Sequence, residues 1–194
     1  MQRTIRYLSH PQVSIEPSKP VPEWSLNEVG KRRVERLAKS GVLANTQLIV
    51  SSAETKAIET ASPLVAAIQC DFEIREKMHE NDRSSTGFLP PEEFETVADQ
   101  FFADPTKSVR GWETAQAAQS RIVSEVEDCL SLCPEGDILF VGHGGVGTLL
   151  FCHLSDCEIS REFDQGPGGG GCFFEFAAMQ QRPLQPWQPL ENWM

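Results

Sequence analysis

Positive charge is scarce in this chain: 17 Lys and Arg stand against 28 Asp and Glu in 194 residues, a net charge of −11. A nucleic-acid or anionic-membrane surface needs a basic footprint, so neither partner is expected. An anionic ligand must then be met by a locally positive pocket inside a repelling field. Long hydrophobic runs are missing too. The opening Met1-Gln2-Arg3-Thr4-Ile5-Arg6 has no apolar stretch of signal-peptide length, and nothing approaches the ~18–20 apolar residues of a membrane span. The six cysteines, at positions 70, 129, 133, 152, 157 and 172, follow no disulfide-framework or Cys-x-x-Cys spacing. A reduced, cytoplasmic protein is the expectation.

What remains is ordinary globular composition, 40% hydrophobic and 23% charged, at a length that suits one well-filled core spanning 1–194. Short apolar runs at Thr4–Leu8, Gln47–Val50, Phe72–Arg75, Ile138–Val141 and Cys172–Phe176 read as strands. Helical periodicity separates them, over Leu26–Ala38, Glu54–Ile68, Pro91–Phe102, Glu113–Leu132 and Gly147–Leu154. Alternation of this kind predicts an α/β fold, a three-layer α/β/α sandwich with a mainly parallel central sheet and helices on both faces. The tail over 182–194, with its spaced prolines and Trp187 and Trp193, reads as an extended strap.

Ligands of open α/β sheets sit beyond the carboxyl ends of the strands. The first strand ends in Ser9-His10-Pro11 and the second in Ser51-Ser52-Ala53-Glu54-Thr55-Lys56. Met78-His79-Glu80-Asn81-Asp82-Arg83 follows the third, and Gly142-His143-Gly144-Gly145 the fourth. Two of only four histidines therefore fall in tight turns on the same sheet edge, with a lysine, an arginine and carboxylates beside them.

This ordered set resembles the histidine phosphatase superfamily, the phosphoglycerate-mutase-like clan. Ser9-His10-Pro11 stands where the family has Arg-His-Gly, and Ser51-Ser52-Ala53-Glu54-Thr55-Lys56-Ala57-Ile58-Glu59-Thr60-Ala61 is similar to its Ser-Ser-x-x-x-Arg-Ala-x-x-Thr-Ala segment. Met78-His79-Glu80 resembles its Leu-x-Glu, Val141-Gly142-His143-Gly144-Gly145 its Val-x-His-Gly-Gly, and Arg121 its helix arginine after Gly111-Trp112-Glu113. The resemblance implies a metal-independent phosphatase acting on a small phosphorylated substrate, with no cofactor. His10 would become a phosphohistidine, Glu80 would act as general acid and base, and His143 would join in stabilising charge. Phosphate contacts would come from Ser9, Lys56, Arg83 and the Gly144 backbone.

The departures from that pattern are specific. Ser9 and Lys56 replace two pocket arginines, and a lysine lacks the bidentate fork. Pro11 removes a backbone donor, and Glu16 stands where the family's mutases often carry asparagine. Arg83 is either a replacement cation or a loop cap. These changes frame the alternative of a catalytically weak or inactive phosphate-binding relative. Gly142-His143-Gly144-Gly145-Val146-Gly147 also fits a dinucleotide G-x-G-x-x-G, though no strand places an acid on a ribose. Cys152, His153 and Cys157 lie close together but read as buried hydrophobes and a helix residue rather than metal ligands. Glu113 reads as either an entrance acid or a helix-start acid, and the 168–171 glycines as either a pocket cover or a connection.

Overall fold

A computed structural model describes residues 3–133, 135–177 and 182–194. Six strands form one sheet: β1 (Thr4–Ser9), β2 (Thr46–Ser52), β3 (Asp71–Arg75), β4 (Asp137–Gly142), β5 (Cys172–Ala177) and β6 (Gln188–Pro189), in the order β3-β2-β4-β1-β5-β6. The first four run parallel; at one edge β5 adds antiparallel to β1, and β6 adds antiparallel to β5. The mainly parallel sandwich expected from the sequence is the observed architecture. Its register decides where chemistry can gather: Ile5 pairs with Ile138 and Ser9 with Gly142, so β1 and β4 end level.

The helices are α1 (Glu28–Ser40), α2 (Thr55–Ile68), α3 (Pro91–Ala103), α4 (Ala115–Leu132) and α5 (Gly144–Leu154). Alternation along the strands divides the core in two. Leu8, Ile49, Leu139 and Val141 face α1 and α2 with Val34, Leu37, Ala61 and Leu64. Ile5, Tyr7, Val50 and Phe140 face the opposite layer with Phe101, Ile122, Val126 and Leu149.

Helix starts differ from the sequence reading where a cap intervenes. Asn27 accepts from the Val29 and Gly30 N–H groups and delays α1 to Glu28; Thr114 does the same for α4. The opposite happens at α5, which begins at Gly144 and not at Gly147. His143, extended at φ −130°, is its N-cap, and the glycines form the first turn. The helix therefore leaves β4 with no intervening loop, and its free N–H groups open directly onto the strand end. The tail packs on the sheet as a strap, but it includes β6 and a final 3-10 turn over Leu190–Trp193. Trp187 meets Phe174 edge-on at 4.8 Å and Trp193 stacks on Phe173 at 3.6 Å.

Candidate active site

His10 follows β1 and is half-buried, its backbone N–H donating to Gly142 O at 2.9 Å. Its Nδ1 lies 2.9 Å from Pro11 O. A carbonyl only accepts, so Nδ1 holds the proton and Nε2 keeps its lone pair. Burial, seconded by the positive charges of Lys56 and Arg83, lowers the His10 pKa to about 4. The ring is therefore neutral at pH 7, with the Nε2 lone pair unprotonated. His143 stands edge-on to it, with ring centroids 5.3 Å apart.

His143 is fully buried. Its Nε2 is 2.9 Å from Ser52 Oγ, and its Nδ1 has no hydrogen-bond partner among the described residues. Burial drives its pKa well down, against the pull of Glu54, whose Oε1 is 3.6 Å from Nε2. Tyr7 holds the turn from below, its hydroxyl 3.1 Å from both the N and the O of His143.

Glu80 is fixed by backbone donors. Its carboxylate accepts from Gly145 N (3.1 Å), Val146 N (2.9 Å) and Asn81 N (3.1 Å), two of them from the first turn of α5. A Cβ on Gly145 would sit 2.7 Å from Glu80 Oε1, so only glycine lets the carboxylate approach this closely. Arg121, reaching over from α4, secures the loop by donating to the carbonyls of Lys77 (2.7 Å), His79 (2.9 Å) and Glu80 (3.3 Å). The same guanidinium binds both oxygens of Glu113. Burial pushes the Glu113 carboxyl up, but its bonds to Arg121 outweigh that and hold it low. Glu113 is thus the counter-ion of a positioning arginine.

The four expected phosphate contacts fare differently. Ser9 is fully buried; its hydroxyl donates to Gln165 Oε1 at 2.5 Å and accepts from Cys172 N at 3.1 Å. Lys56, in the first turn of α2, donates to Val21 O at 2.9 Å and is in direct contact with Glu54 Oε2. Gly144 is covered by the Gln165 amide, which would lie 2.1 Å from an added Cβ. Of the three side chains Arg83 alone is unengaged: its guanidinium makes no hydrogen bond or ion pair among the described residues and lies 4.7 Å over the Phe94 ring. Burial lowers its pKa, while Glu80 and Glu54 oppose the shift.

His10, Glu80, Arg83 and Gly144 share one cavity of about 460 Å³, bounded by Phe94, Trp112 and the Asp164–Gly170 loop. That loop does cover the pocket. Gly171 N donates to His10 O at 3.0 Å, and Gly170 (φ 82°) passes so close that a Cβ would sit 2.2 Å from the same oxygen. Arg33 secures the loop from outside by donating to the carbonyls of Gly170 and Gly171. Glu16 pairs instead with Lys19 at 2.8 Å. Cys152 is buried in α5, His153 is exposed, and among the described residues no His, Cys, Asp or Glu side chains form a metal-holding group.

Three participants escaped the sequence reading: Glu54, Asn81 and Gln165. Glu54 carried a signal, a carboxylate two residues before a lysine at a strand end. Burial pushes its carboxyl up, but His143, the Lys56 ammonium and the Glu80 N–H (2.9 Å) together hold it near 2. Gln165 carried none, because its partner Ser9 is 156 positions away.

The family profile described as histidine phosphatase superfamily (branch 1) matches residues 18–169, a span that begins after His10. No curated protein sequence matches the chain. Among solved structures, a mycobacterial glucosyl-3-phosphoglycerate phosphatase in complex with inorganic phosphate superposes with a TM-score of 0.74 at 18% identity, over 96% of this chain and 94% of that one. The phosphoserine phosphatase of Entamoeba histolytica in complex with 3-phosphoglyceric acid gives 0.77 at 14%, over 99% and 100%. Bacillus stearothermophilus YhfR gives 0.73 at 17%, over 89% and 90%. At these identities the likeness is one of fold. Among the described residues no helix is long and apolar enough to cross a membrane.

Proposed function

The chain belongs to the histidine phosphatase superfamily, and from that premise we propose that it is a metal-independent phosphomonoesterase working through a phosphohistidine on His10. The observation that carries this reading is the His10 ring itself: neutral to about pH 4, its Nδ1–H bound to Pro11 O, its Nε2 free beside a cavity that also holds Arg83 and Glu80.

His10 Nε2 attacks phosphorus as the P–O ester bond breaks, and Glu80 gives the departing oxygen its proton. In the second half Glu80 takes a proton from water, whose oxygen attacks the phosphohistidine; the P–N bond breaks and phosphate and free His10 result. Charge on the transferring group is met by Arg83 and by His143, whose unpartnered Nδ1 is the donor on that side. As the dianion binds, Glu54 supplies the counter-charge that allows His143 to take up a second proton.

The test is hydrolysis of a panel of phosphomonoesters by wild type and His10→Ala, with chelator present. Turnover in the wild type that vanishes in the variant is the expected result. If neither turns over any ester, the reading falls, and the engagement of Ser9 and Lys56 by protein partners favours a phosphate-binding relative without turnover.

A further inference from the structure

Beside the cavity holding His10 lies a second one, of about 690 Å³, bounded by Pro20–Glu23 on one side and by Glu76 and the loop from His79 on the other. Glu80, Asn81 and Arg83 belong to both walls, so the two spaces adjoin at these side chains. Asn81 is only 9% exposed, yet its Nδ2 is buried with no hydrogen-bond partner. A buried amide donor left unpaired is costly, and it marks a position where a ligand acceptor completes the structure.

The two cavities differ in how their charges are paired: Glu95 and Asp164 on the His10 side face Arg161, whereas the second cavity has carboxylates with no such cation among the described residues. Arg83 is an unpaired cation at the junction, whereas Lys56 is cancelled by Glu54. Further out, Glu23, Glu76 and Asp82 line the second cavity, and none makes an ion pair among the described residues. Bonds from the Ser84 N–H hold Asp82 in its charged form. A leaving group bearing a carboxylate would meet three like charges, while one bearing an ammonium would meet three partners.

We infer that the preferred substrate is the phosphomonoester of an amino alcohol. Its phosphoryl group sits between His10 and Arg83, its ammonium among Glu23, Glu76 and Asp82, and its ester oxygen accepts from Asn81 where the cavities meet. This rests on the phosphatase reading and names the substrate class for it.

Three esters of equal length separate the possibilities: phosphoethanolamine, 2-hydroxyethyl phosphate and phosphoglycolate. The expected order of kcat/KM is ammonium, then hydroxyl, then carboxylate. Each exposed ionic contact is worth a factor of about 1.4–5, so the extremes should differ by roughly tenfold or more. The ratio shrinks with added salt and in the Glu23→Gln/Glu76→Gln double variant, whose side chains make no hydrogen bond among the described residues. Asn81→Ala raises KM for all three esters alike and leaves their order unchanged, because the ester oxygen is common to them.

Phosphoglycolate turned over as well as phosphoethanolamine, or a KM in Asn81→Ala equal to that of wild type, overturns the inference. If none of the three is hydrolysed while another ester of the panel is, the inference fails and the phosphatase reading stands; if no ester at all is turned over, the phosphatase reading fails separately. Calorimetric binding of the same esters then decides the subsite: tighter phosphoethanolamine upholds it, and equal or weaker binding removes it.

Discussion

Replacing Arg83 with alanine should cost the protein its activity and almost none of its stability. The guanidinium makes no hydrogen bond or ion pair among the described residues; its one specific contact is with the Phe94 ring at 4.7 Å. A partly exposed cation–π contact is worth about 0.5–1 kcal/mol. In a chain of this size that corresponds to a fall in Tm of about 2–4 °C at most. The effect on transfer is on another scale. With Lys56 held by Glu54 and Ser9 by Gln165, no other cation in the His10 cavity is free of a partner among the described residues, because Arg161 there pairs with Glu95 and Asp99. Loss of one preorganised charge donor typically costs about 2.7–4 kcal/mol, or a hundred- to a thousand-fold in rate. Arg83→Lys should fall between, keeping the charge without the planar fork. The assay is kcat/KM on the best ester of the panel, run alongside thermal unfolding. Arg83→Ala within about threefold of wild type, under 1 kcal/mol of barrier, while His10→Ala is inert would refute the role assigned to this arginine.

Two further outcomes follow from the buried charges. Glu54→Gln leaves the Lys56 ammonium buried without its counter-ion and should destabilise the fold by about 3 kcal/mol at pH 7. The Glu54 carboxyl is depressed from 4.5 to about 2, so its contribution is complete above pH 4.5 and disappears as pH falls towards 2. Denaturant unfolding at pH 7 and near pH 3 should show the difference between wild type and variant narrowing in acid; a constant difference would contradict the assignment. Separately, the fraction of neutral His10 should set the acid limb of the kcat/KM profile near pH 4, since burial holds its pKa there. A limb at pH 6.5 would mean that the nucleophile titrates as a solvated histidine.

The elements were legible because hydrophobic period and β/α alternation are local signals. The five expected strands and five expected helices lie where the apolar runs placed them, displaced mainly by the caps at Asn27, Thr114 and His143. His10, Glu80 and His143 were visible as residue types at strand ends, and the turns that carry them converge in space. The partnerships that decide their chemistry were not visible. Whether Ser9 faces a ligand or Gln165 depends on how a loop 156 residues away folds back. Whether Lys56 presents charge depends on Glu54 turning inward from the residue before α2, which side-chain spacing does not specify. Arg121 likewise gains its meaning only from carbonyls more than 40 residues away.

The level ending of β1 and β4 has one more consequence. His10 and His143 are 133 positions apart and meet only because these strands are hydrogen-bonded neighbours, with His10 N bonded to Gly142 O at the seam. Contacts so distant in sequence form late, after the cost of closing a long loop has been met. A partly folded chain therefore holds neither half of the pair in working geometry. Turnover is accordingly a reporter of global folding for this molecule: during refolding from denaturant it should return with the last cooperative phase and lag helix formation, which needs only near neighbours.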